Sequence, residues 1–156
     1  MIKITMLGTS DAIPSARRNH TAILLTYKGE NILIDCGEGT QRQFRKARLN
    51  PCKINRILLT HWHGDHVLGL IGLFQTLVLS GYSKKMEVYG PVGTQKFMRN
   101  FVKIFIPVLK FTADVKDLKK QGKFLEAKEF YIGSKKMTHG NKKCNAYSFV
   151  EKGQIR

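Results

Sequence analysis

Acidic side chains are scarce in this chain: 11 Asp and Glu stand against 27 Lys and Arg over 156 residues, a formal charge of +16. The basic residues are spread over residues 17–18, 42–48, 84–85, 116–123, 135–136, 142–143 and 152–156, more than one solvated face needs. A polyanionic partner follows, because Lys and Arg that neutralise phosphates release counterions and so supply most non-specific nucleic-acid affinity. Cysteine is almost missing. Cys36, Cys52 and Cys144 are an odd number at no metal-ligand spacing, so they read as small buried hydrophobes in a reducing, cytoplasmic setting rather than as a disulfide framework. Long apolar runs are absent too: no stretch approaches the roughly 18–20 residues that span a bilayer, and residues 1–6 read as a strand rather than a signal peptide, so no membrane partner is expected. Pro and Gly number only 4 and 14, and 42% of the chain is apolar, which excludes a low-complexity or disordered chain and leaves one domain as the default.

Hydrophobic alternation predicts strands over residues 2–7, 22–27, 31–35 and 54–60, with Lys28-Gly29-Glu30-Asn31 as a hairpin turn, giving an early meander. Residues 39–47 carry helix-forming potential. Residues 67–79 form an apolar helix marked at its start by Asp65 and at its end by Gly81. Further strands are expected at 86–89, 124–132 and 145–150, with a helix at 94–105 between them. The pattern is α/β, helices packed on a mixed sheet. The chain stops at Gln154-Ile155-Arg156 directly after a strand, with no terminal helix to cover the sheet edge.

The run His61-Trp62-His63-Gly64-Asp65-His66 gathers three of the five histidines into six residues, which no apolar core needs. Beyond the buried strand Ile57-Leu58-Leu59, His61 and His63 are two apart and face one way, while Trp62 faces the other. Gly64 lets the backbone turn so that Asp65 and His66 present further ligands at the start of the next helix. Imidazole and carboxylate together suit two adjacent ions, Zn²⁺ foremost and Mn²⁺ or Fe²⁺ after it, which share and ionise one water. The N-terminus of the following helix would favour an incoming phosphate.

His61-x-His63-x-Asp65-His66 resembles the signature of the metallo-β-lactamase superfamily of hydrolases. Its flanks are more specific: Leu7-Gly8-Thr9-Ser10-Asp11-Ala12-Ile13-Pro14-Ser15 with Arg17, and Asp35-Cys36-Gly37-Glu38-Gly39-Thr40-Gln41-Arg42-Gln43, are similar to the two N-terminal motifs of ribonuclease Z, the endonuclease that removes 3′ trailers from precursor tRNA. Residues 67–73 and Tyr89-Gly90-Pro91 match the same family. The resemblance implies an αββα layered fold, of which this chain supplies mainly the N-terminal half: one domain over residues 1–156, incomplete at its C-terminus. It also implies that His61, His63 and His139 hold one zinc, that Asp65 and His66 contribute to a second, and that Asp65 orients or deprotonates the attacking water. Two zinc ions per complete site, a precursor tRNA substrate and a homodimer are implied with it. Asp35 is expected to orient a ligand histidine, the 37–39 turn to lie against the active site, and His20 to be a surface residue.

The sequence departs from the family where the later ligands belong, since no His follows His139 and no Asp follows Asp117. The first zinc site can form from three histidines and water; the second is expected to be weak. Two other readings stay open: an inactive RNA-binding or assembly half that needs a C-terminal partner, and a hydrolase of a small thioester or lactam.

Overall fold

The computed structural model describes residues 1–106 and 108–153. Its first three strands, β1 (Lys3–Gly8), β2 (Ala22–Tyr27) and β3 (Glu30–Ile34), form the expected antiparallel meander, with Ile4 opposite Leu25 and Leu24 opposite Leu33. Lys28 (φ 44°) and Gly29 (φ 88°) join β2 to β3; positive φ at both positions is the backbone twist that a two-residue hairpin needs. From β3 onward the sheet turns parallel: β4 (Arg56–Leu58), β5 (Met86–Pro91) and β6 (Ala113–Leu118) add in chain order to complete six strands. Each parallel step needs a crossover, and four helices supply them: α1 (Thr40–Lys46) before β4, α2 (Gly64–Val67) and α3 (Gly69–Leu79) before β5, and α4 (Thr94–Phe105) before β6. A second, antiparallel sheet follows, β7 (Gly122–Glu126), β8 (Phe130–His139) and β9 (Lys142–Glu151).

Side-chain alternation across the six-stranded sheet builds two cores. One face of the sheet sends Leu24, Leu33, Ile57, Leu59 and Val88 against Phe44, Leu70, Leu73, Phe74 and Leu77 of the helices. The other sends Leu25, Tyr27, Ile32, Leu58 and Tyr89 against Phe130 and Ile132 of the small sheet. Tyr27 is central to the second core: Phe130 and Phe149 meet its ring edge-on at 6.0 and 5.3 Å, and its hydroxyl donates to Glu151 at 2.7 Å. The layers therefore run helices, six-stranded sheet, three-stranded sheet, the layered α/β arrangement expected. Among the described residues no helix lies outside the small sheet, and none is long and apolar enough to cross a membrane.

Several expectations change. The strand at 113–118 is an addition to the expected ones: its alternation covers only Ala113 to Lys116 before Asp117 breaks it, and Asp114 and Lys116 pair with Lys85, Glu87 and each other along the sheet edge. The strand expected at 124–132 is two strands of a hairpin that turns at residues 127–129, and the last strand begins at Lys142 rather than Asn145. The 67–79 helix begins earlier, at Gly64, and breaks at Leu68. The ending at residues 154–156 lies outside the described residues.

Close approach of backbones fixes how α3 sits. Gly69 N–H donates to the Cys36 carbonyl at 2.9 Å, and a Cβ on Gly69 would collide with the Gly37 carbonyl oxygen. Alanine is the better helix former by about 1 kcal/mol, yet overpacking typically costs about 1–3 kcal/mol. Gly69→Ala is therefore expected to lower the urea midpoint; a raised midpoint would show that α3 can shift off the 35–37 loop at little cost.

Candidate metal centre

All three parallel crossovers open at the carboxyl ends of their strands, the edge where α/β sheets gather their loops. The loop after β3 brings Asp35, Cys36 and Gly37; the loop after β4 brings Thr60, His61 and His63; the β8–β9 hairpin brings His139 from the opposite sheet. The hairpin is fastened to the β4 loop by two bonds to main-chain oxygens, Asn145 N–H to Thr60 O at 2.8 Å and the Tyr147 phenol to Leu59 O at 2.7 Å. As a result one ligand nitrogen from each of His61, His63 and His139 lies within 4.8 Å of the others. Ring centroids are 4.6 Å apart for His61 and His63, and 5.1 Å from each to His139. Trp62 faces the other way as expected, its ring tilted against Phe97 at 4.9 Å and its indole N–H donating to Thr94.

Behind the histidines sits Asp35, 2% exposed and in the left-handed region at φ 57°. Its carboxylate accepts from Thr60 N–H and the Thr60 hydroxyl, both at 2.8 Å, and from His66 Nδ1 at 2.7 Å. Since the Thr60 hydroxyl proton is given to Asp35, the 3.0 Å contact between Thr60 Oγ1 and His61 Nδ1 is one in which His61 donates. That leaves Nε2 of His61 with a free lone pair, the tautomer a metal ligand requires. Thr60 is the functional residue the sequence reading missed; its one signal was a hydroxyl directly between the apolar strand and His61.

Asp65 and His66 do not join the triad. Asp65 Oδ2 lies 3.3 Å from His66 Nε2, so His66 is held between two carboxylates. Burial pushes its pKa down, but the Asp35 hydrogen bond and charge, with the charge of Asp65, outweigh that and raise it. His61 goes the other way: burial first, then the neighbouring His66, lower its pKa despite Asp35. Beyond them His66 N–H bonds His63 O and Gly69 N–H bonds Cys36 O, and α2 has only four residues. His20 is corrected from a surface residue to a half-buried one; Gly8 and Gly37, having no side chain, let it pack against them, and its Nδ1 is buried without a partner. Asn19 bonds the Glu38 carbonyl, tying the 11–19 loop to the 37–39 turn. Cys36 is fully buried, which pushes its thiol up to about 12, consistent with a packing role.

In metal-free protein, proton NMR titration is expected to place His66 above and His61 below the ordinary histidine value near 6.5. The stability from His66 is full below its unfolded pKa and is lost as pH rises through its folded pKa. That from His61 is full above the unfolded value and is lost as pH falls through its folded one. Asp35→Asn is expected to bring the His66 titration down and to cost about 2–3 kcal/mol in chemical denaturation; an unmoved His66 would remove Asp35 as the cause.

A family model described as anti-Pycsar protein Apyc1 matches residues 2–102. Ribonuclease Z of Methanothermobacter thermautotrophicus is 39% identical over 156 residues, all of this chain and 50% of that protein. The crystal structure of human tRNase Z, short form, superposes with a TM-score of 0.86 at 33% identity, covering 99% of this chain and 66% of that one. The metallo-β-lactamase fold protein YhfI of Bacillus subtilis superposes at 0.71 with 19% identity, covering 96% of this chain and 58% of that one, a likeness of fold alone. The chain spans about half the length of the curated relatives it matches, and its described residues form three layers of the αββα metallo-β-lactamase fold.

Proposed function

Because the chain belongs to the family described as anti-Pycsar protein Apyc1 and to the ribonuclease Z relatives of the metallo-β-lactamase superfamily, we propose that it is a zinc-dependent endoribonuclease domain that removes the 3′ trailer of precursor tRNA. The observation that carries this reading is the convergence of His61, His63 and His139 beside a hairpin whose exposed flanks hold Lys135, Lys136, Lys142 and Lys143. The donor set fits the metal: three nitrogens at 2.0–2.1 Å from one tetrahedral zinc stand about 3.3 Å apart, so a slight closing of nitrogens already within 4.8 Å suffices. A divalent ion held there supplies Lewis acidity, lowering the pKa of a water and stabilising the charge of the phosphodiester transition state.

The chain's own groups do the rest. Thr60 and Asp35 fix the tautomers and rotations of His61 and His66. Asp65, whose ion-pair contact among the described residues is the 3.3 Å one with His66, is the carboxylate that accepts the proton of the attacking water. Asp65 and His66 would also bind a second ion, at the cost of that mutual contact, which makes the second site the weaker one. The lysines of the hairpin attract and orient the RNA backbone. A thioester or lactam substrate has no use for such a surface.

The half-length match to the curated relatives favours one second reading: the chain supplies the RNA-facing surface and the first metal site, and a complementing polypeptide supplies the rest. Cleavage of a 3′-extended precursor tRNA, with zinc or manganese, is expected for the 156-residue chain and is expected to fall by about 100-fold or more in His63→Ala and His139→Ala. A folded, zinc-loaded sample that cleaves only when the C-terminal half of a relative is added would instead select the second reading. Cleavage untouched by either substitution would overturn both. Zinc content measured on the same samples is expected to be near one tightly held ion per wild-type chain and none in either variant.

A further inference from the structure

Charge is divided unevenly between the two ends of the fold. Glu30, Glu87, Asp114 and Glu129 stand at or next to the starts of β3, β5, β6 and β8, and Glu126 at the end of β7, the end away from the histidines. These acids pair with Lys28, Arg56, Lys85, Lys116, Lys123 and Lys152. Around α1 the balance is reversed: residues 39–64 hold no acid, and Arg42, Arg45, Lys46, Arg48 and Lys53 are all exposed and outside the ion pairs of the described residues. Their placement works against the helix. Arg42 lies in the first turn, where the helix dipole favours an acid, and is three and four residues from Arg45 and Lys46, spacings at which like charges repel. Arg48 is placed at greater cost. Arg48 N–H bonds Arg45 O at 3.0 Å and Leu49 N–H bonds Phe44 O at 2.9 Å, the two bonds that close a helix around one left-handed residue, and Arg48 is that residue at φ 54°. Glycine fits there without strain, yet an arginine with its side chain in solvent occupies the position. A strained residue that is kept points to a use for its side chain.

The partner that suits these cations is a polyanion met through its charges alone. None of the exposed large hydrophobic residues falls within 39–64, so the segment lacks the apolar face with which a helix enters a bilayer surface. Phe44 is buried in the core and Trp62 lies against Phe97, so among the described residues this surface has no aromatic platform on which the bases of a single strand would stack. Double-helical RNA turns its phosphates outward and its bases inward, and is held mostly through shape and backbone contacts. We propose that α1 and residues 48–53 form a surface that holds double-helical RNA by its phosphates, through Arg42, Arg45, Lys46, Arg48 and Lys53. The surface begins beside the metal centre and leads away from it: α1 opens just after Gly37, where a Cβ would strike the Asp65 carbonyl oxygen, and its seven residues extend on the order of 10 Å at 1.5 Å per residue. A stem lying on it can send a strand end toward the histidines. That this stem belongs to the substrate rests on the nuclease reading; that the surface holds duplex does not.

The test is a binding titration of the zinc-loaded chain, over a series of salt concentrations, with a blunt-ended RNA hairpin, a single-stranded oligouridine, phosphatidylserine vesicles and polyglutamate. Wild type is compared with Arg45→Gln/Lys46→Gln/Arg48→Gly and with Lys28→Gln/Lys85→Gln/Lys123→Gln, which removes the same charge from the paired end. The first variant is expected to bind the RNA hairpin about tenfold or more weakly, with the slope of log affinity against log salt reduced by about two to three, and the second to bind it nearly as wild type does. Arg48→Gly alone is expected to reduce the slope by about one while the urea midpoint holds or rises; a midpoint that falls with binding unchanged would make the arginine a part of the helix end and overturn its role. Equal losses in the two triple variants, a loss no greater for the RNA hairpin than for oligouridine, or vesicle or polyglutamate binding that depends on the same three residues overturns the surface. An RNA hairpin held through α1 by a chain that cleaves no precursor tRNA, alone or with the complementing half, leaves the surface standing and removes the nuclease reading instead.

Discussion

A carboxylate sealed from water is tolerated only if its charge is met by donors on several sides, and Asp35 is placed so that three are. The residue follows the last position of β3 and takes a left-handed backbone conformation, which aspartate bears more easily than most side chains. That bend lets Cys36 N–H reach His66 O and Gly37 N–H reach Thr21 O. One acid thereby joins the ends of two neighbouring parallel strands, the start of the helix beyond them and the loop after β1. Stability and site geometry are consequently not separable at this point: the bonds that neutralise the buried charge also set the orientations of the imidazoles.

The remainder of the site depends on packing between sheets. His139 stands at the end of β8 and is exposed, so nothing local holds its ring near His61. Its position comes from Tyr147 and Asn145, which pin β9 to the β4 loop, and from the aromatic layer of Tyr27, Phe130 and Phe149 below them. Asp117 performs a related service on the far side, accepting from Gly93 and Gln95 N–H so that β6 holds the start of α4.

Much of this was legible in the sequence, for reasons that can be named. His61 and His63 at a two-residue spacing after an apolar strand, and the glycine after them, carry their geometry in one short segment. The meander of β1 to β3 was readable because its apolar positions alternate and its turn carries Lys28-Gly29. His139 was legible only through resemblance, since its neighbours in space are remote in the chain. Thr60 escaped because one hydroxyl carries no periodic signal, and His20 because its burial is decided by Gly8 and Gly37, two residues whose contribution is an absent side chain. The charged edge strand β6 escaped because its partners, Lys85 and Glu87, lie on other segments.

That the triad draws its third member from a hairpin so late in the chain has a consequence during translation. Seventy-six residues separate His63 from His139, which at roughly 5–20 residues per second is about 4–15 s of synthesis. Throughout that interval a growing polypeptide holds two members of the triad without the third, and the β4 loop lacks the β9 bonds that will hold it. The ribosome thus carries a nascent chain whose three-histidine centre cannot close until the β9 strand has followed it out of the exit tunnel.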